Sequence, residues 1–81
     1  MHELAITEGI IRLISTEAKK QGFQKCVGIT LAVGKYSGIV PSCVTEFFPI
    51  AAKGTPAEQA ELTFIESPDQ FRCYVENITV E

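Results

Sequence analysis

The chain has 81 residues, 46% of them apolar and 21% charged, with a formal charge of -3. That length fits one small domain with a limited core, and a negative balance without a basic patch excludes general affinity for nucleic acid or an anionic membrane. No apolar run approaches the roughly 20 residues needed to span a bilayer.

The first stretch is polar. Met1, His2 and Glu3 precede a helix-like run from Leu4 to Gln21, and His2 is the chain's single histidine. Glu3 interrupts any leader-like apolar start, which argues against a signal peptide and for a cytoplasmic protein. Ile6, Ile10, Leu13 and Ile14 share one helical face. Glu3 and Glu8 near the start and Lys19-Lys20 near the end complement the helix dipole. Gly22 is placed to stop the helix. Gly9, inside it, costs about 1 kcal/mol against alanine and suits close approach of another backbone.

Lys25 to Gly34 reads as a strand. Val27, Ile29, Leu31 and Val33 alternate with the small residues Cys26, Gly28, Thr30 and Ala32, as expected of a central or partner-contacting strand. Gly34, Ser37 and Gly38 mark a loop. Pro41 opens a second helix reaching about Lys53, with Val44, Phe47, Phe48 and Ala51 as its apolar stripe. Pro49 predicts a kink or break. Glu61 to Glu66 is the next strand, with Leu62 and Phe64 on one face. Ser67-Pro68-Asp69-Gln70 fits a type I turn. Phe71 to Val80 is the last strand, and its parity break predicts a bulge near Glu76-Asn77. The last two strands are expected to pair as a hairpin. The order α-β-α-β-β implies an α+β fold: a two-layer domain with two helices on one face of a three-stranded mixed sheet. Exposed sheet edges leave a homodimer or strand exchange open.

Cys26, Cys43 and Cys73 are widely spaced with no CxxC pair, and read as reduced, mostly core thiols. No catalytic constellation is present, so an enzyme is not expected. The one candidate site is the start of the chain. A terminal amine, a backbone amide nitrogen and an imidazole can hold one ion together, and a nitrogen-rich set suits Ni(II) or Cu(II). The simpler alternative is that His2 is a solvated residue of the first turn.

Several stretches, in order, resemble a known family. They are Met1-His2-Glu3-Leu4, Glu17-Ala18-Lys19-Lys20, Val33-Gly34-Lys35-Tyr36-Ser37-Gly38-Ile39-Val40-Pro41, Lys53-Gly54-Thr55-Pro56-Ala57-Glu58, Ala60-Glu61-Leu62 and Tyr74-Val75-Glu76-Asn77-Ile78-Thr79-Val80-Glu81. Together they resemble the hydrogenase nickel-incorporation protein family HypA/HybF over nearly the whole chain. The resemblance implies a nickel metallochaperone for maturation of [NiFe] hydrogenase, in some bacteria urease, with Ni(II) held by Met1, His2 and Glu3. Its implied partners are a nickel-handling GTPase and the hydrogenase large subunit. One departure is large: the family's zinc-binding domain, with two CxxC pairs between the last two strands, is replaced here by the turn at 67–70. Residues 1–81 are therefore expected to form a single HypA-like nickel-binding domain that binds no zinc. A module of the same scaffold that only mediates interaction or oligomerisation is the alternative.

Overall fold

The computed structural model describes residues 2–81. Helix α1 spans Glu3–Gln21, strand β1 Cys26–Val33, helix α2 Pro41–Ala51, strand β2 Glu61–Glu66 and strand β3 Cys73–Val80. Both helices cover one face of a three-stranded mixed sheet, the α+β arrangement the element order implies.

The sheet order corrects one expectation. β1 is central, in the order β2-β1-β3, parallel to β2 and antiparallel to β3. The last two strands are therefore sheet edges and do not pair as a hairpin. Their connection must cross the end of β1, a span of about 10 Å at the usual strand spacing. It does so by hydrogen bonding to the strand it crosses: Ser67 N–H donates to Val33 O at 3.1 Å and Gly34 N–H to Arg72 O at 2.7 Å. Gly34 permits the crossing, because a Cβ there would lie 2.4 Å from the Gln70 carbonyl oxygen. The connection's own turn bond runs from Arg72 N–H to Asp69 O at 3.3 Å, two residues later than the expected Ser67–Gln70 turn. Ser67 Oγ and Asp69 Oδ1 accept from the Asp69 and Phe71 amides at 3.1 and 3.0 Å.

The bulge in β3 falls where the parity break places it. Thr30 pairs with Asn77 and Leu31 with Val75, leaving Glu76 as the extra residue. A second irregularity, between Cys26 and Gly28, leaves Val27 without a facing partner. It turns Cys26 into the core beside Ile29 and Leu31, so simple alternation assigns Cys26 to the wrong face.

The helix phases also shift. In α1 the buried positions are Glu3, Thr7, Ile10, Ile11, Ile14 and Ala18, while Leu13 is exposed. In α2, Val44 and Phe48 are buried and Phe47 lies outward. α2 continues through Pro49 to Ala51 rather than breaking there. Pro49 removes the bond to the Thr45 carbonyl, but both residues are exposed, so water can take that acceptor. Gly22 ends α1 in the left-handed conformation (φ 78°), its N–H donating to Ala18 O, as expected of a glycine stop.

Candidate metal centre

α1 begins without a conventional cap. His2 occupies the N-cap position, exposed, and its imidazole makes no capping hydrogen bond. The first turn uses the His2 carbonyl, which accepts from Ile6 N–H at 2.9 Å. The His2 amide precedes the helix and takes no part in its hydrogen-bond ladder. The imidazole and the amide nitrogen are thus both free of helical duty.

Glu3 does the opposite. It is only 9% exposed, and its Oε2 accepts from Val40 N–H at 3.0 Å. Val40 is itself the N-cap of α2, a helix with Pro41 in its first turn, no acidic residue there and no side-chain cap. The Glu3 carboxylate therefore serves both helix starts, where partial positive charge favours an anion. Hydrogen bonds from its own backbone N–H and from that of Val40 hold its pKa below the ordinary carboxylate value. Beneath it, Thr7 Oγ1 donates to the Glu3 carbonyl at 2.6 Å, satisfying a buried hydroxyl.

The loop from Gly34 to Val40 is ordered by its own contacts. Ser37 Oγ donates to Gly34 O at 2.8 Å, Ile39 N–H donates to Ser37 Oγ at 3.3 Å, and Gly38 takes φ 79°. The loop thus delivers the Val40 N–H to Glu3 from an ordered frame.

Of the three candidate metal residues, the structure places His2 and Glu3 as neighbours at the mouth of α1. Met1 lies outside the described residues. The cysteines are not brought into a shared cluster. Cys26 is buried, with Sγ donating to Gly28 O at 3.3 Å, and Cys43 and Cys73 are half-buried on α2 and β3. Burial raises the thiol pKa of both Cys26 and Cys73. Among the described residues no three His, Cys, Asp or Glu side chains converge to hold a metal. Val40 is the functional neighbour that sequence reasoning missed; its role is carried by a backbone amide, which leaves no side-chain signature.

The family model described as hydrogenase/urease nickel incorporation, metallochaperone, hypA matches residues 1–81. Hydrogenase maturation factor HypA of Caldanaerobacter subterraneus is 37% identical over 73 residues, covering 90% of this chain and 64% of that protein. Hydrogenase maturation factor HypA 2 of Bradyrhizobium diazoefficiens is 35% identical over 81 residues, covering 100% of this chain and 72% of its own length. The solution structure of the Ni metallochaperone HypA from Helicobacter pylori superposes with a TM-score of 0.75 at 17% identity, covering 100% of this chain and 87% of that one, and supports the fold. The chain spans 64%, 66% and 61% of three of the curated relatives it matches, so it corresponds to about two thirds of their length. On the match over residues 1–81, the chain belongs to the HypA family of hydrogenase/urease nickel-incorporation metallochaperones.

Proposed function

We propose that this chain carries Ni(II) at its N-terminus and passes it to a maturing metalloenzyme, [NiFe] hydrogenase or urease, without itself being an enzyme. Nickel is the cargo. The Met1 amine, the His2 amide nitrogen and the His2 imidazole supply three nitrogen donors that close two fused chelate rings. The observation that supports this reading most is that α1 uses the His2 carbonyl while leaving its amide and imidazole unengaged. Removing the amide proton therefore breaks no helical hydrogen bond. Glu3 acts mainly as a positioning residue: its bond to Val40 fixes the first turn and keeps a carboxylate near the cation. Binding displaces protons, so affinity rises with pH.

The relatives' names fit hydrogenase maturation, and a nickel-handling GTPase and the hydrogenase large subunit are the partners this reading implies. A cytoplasmic site of action and a single nickel-binding domain over 1–81 belong to the same proposal, as does the absence of zinc from it.

Calorimetric titration of the untagged protein with Ni(II), beside His2→Ala and a form extended by a few residues before Met1, tests the reading. One nickel per chain is expected, with marked weakening in both altered forms. Equal affinity in all three would remove the site.

A further inference from the structure

Where the 67–72 connection crosses the end of β1, it builds a second exposed feature. Tyr36 is 58% exposed and Phe71 75%, and their rings lie 5.9 Å apart between centroids at a 35° tilt. The Lys35 ammonium sits 5.6 Å from the Tyr36 ring centroid, and the Arg72 guanidinium 5.0 Å from that of Tyr74. Among the described residues, neither cation forms an ion pair with a carboxylate; the ion pair present joins Lys20 and Glu17. The nearby Asp69 carboxylate is turned to the Phe71 amide.

The backbone under these side chains is fixed. Tyr36 N–H donates to Gln70 O at 2.6 Å and Gly34 N–H to Arg72 O at 2.7 Å, so the two loops are tied on both sides of the crossing. A partner meeting this surface would not have to order it first, which lowers the entropy cost of binding. Tyr and Arg are the residue types that dominate binding energy at protein interfaces. The hydrogen bonds that shape the turn at Phe71 are made by backbone atoms and Asp69, and its ring is left 75% exposed.

We infer that Lys35, Tyr36, Phe71, Arg72 and Tyr74 form a docking surface for a short acidic segment of another protein. An apolar side chain of that segment would lie on the Tyr36–Phe71 pair, with carboxylates against Lys35 and Arg72. Local charge complementarity selects the partner: Lys35 and Arg72, which form no ion pair among the described residues, stand beside aromatic faces. Two cations are too short a basic track for a polyanion such as single-stranded RNA. The surface does not depend on the nickel reading, although the loop that carries Tyr36 ends at Val40, against Glu3.

The chain offers its own probe. It has two tyrosines, Tyr36 and Tyr74, and no tryptophan, so intrinsic tyrosine fluorescence reports on this surface alone. The full chain is titrated with a blocked peptide of alternating glutamate and leucine, with its lysine-leucine counterpart, and with poly(U). A saturable change with the acidic peptide is expected, weakened roughly tenfold by Phe71→Ala and by Lys35→Glu and unaffected by His2→Ala. Both weakened variants alter exposed residues, and far-UV circular dichroism confirms that they fold. Absence of a saturable change, equal response to the lysine peptide, tighter binding of poly(U), or a concentration-dependent change without peptide (a second copy as occupant) would each overturn the inference.

Discussion

The two helices of this domain start in opposite ways. α2 begins at Val40 with its amide closed by a carboxylate from the other helix, while α1 begins at His2 with its imidazole exposed and unbonded. Adjacent residues divide the labour. Glu3 is buried and joins the helix starts; His2 is exposed and its side chain caps neither. The contrast shows how one helical turn can hold both a structural anchor and a chemically available group, provided the anchor is satisfied first.

The largest expected effect breaks the His2 side of this contrast. His2→Ala should lower Ni(II) affinity about 100-fold or more, since losing a donor exceeds the usual effect of losing a group that only orients one. The same change should leave the melting temperature nearly unmoved, because His2 makes no capping bond. Paired calorimetry and thermal melts read both halves.

Gly34→Ala attacks the loop that carries Val40 to Glu3. Its Cβ would lie 2.4 Å from backbone oxygen, so the crossing must shift. A loss of about 1–3 kcal/mol in chemical denaturation is expected, with some weakening of nickel binding if the Val40–Glu3 contact moves with the loop.

Glu3→Gln tests the anchor itself, with about tenfold weaker Ni(II) binding expected from an orienting group. Its pH signature has a definite sign. The folded-state pKa of Glu3 is depressed, so its stabilising effect is present above the unfolded carboxylate value of about 4.3 and is lost as pH falls through the lower folded value. Melts from neutral to acid pH should show wild type above Glu3→Gln near neutrality, the gap closing below about pH 4. A gap that is constant with pH would mean the carboxylate's charge contributes nothing.

Gly9→Ala is the smallest and works in the other direction. In α1 an added Cβ would meet, among the described residues, only the Arg12 side chain, at 4.0 Å, so no described backbone outside the helix exploits the glycine. The variant should gain up to about 1 kcal/mol by helix propensity, with nickel binding unchanged.

Much of the fold was legible before the structure. Periodicity and the Gly22 and Pro41 boundaries located the elements, and the parity break located the Glu76 bulge. The misread features were those set by tertiary contacts. Pairing of β2 with β3 looked local because a short turn joins them, yet the Gly34 opening and the backbone bonds to Ser67 and Arg72 allow β1 between them. Leu13 and Phe47 are apolar at helical spacing but exposed: in α1 Ile11 takes the inward place, and in α2 only Val44 and Phe48 of the expected stripe are buried. At the candidate site, His2 and Glu3 were visible as residues at the start of α1. Their division of roles was not, because it depends on a backbone amide 37 positions away.

The most direct test of the central claim is the count of protons released when Ni(II) binds, obtained by calorimetry in buffers of different ionisation enthalpy near pH 7.5. Deprotonation of the His2 amide together with part of the terminal amine predicts more than about one proton per nickel, falling sharply in His2→Ala. Release of well under one proton, equal in wild type and variant, would contradict it.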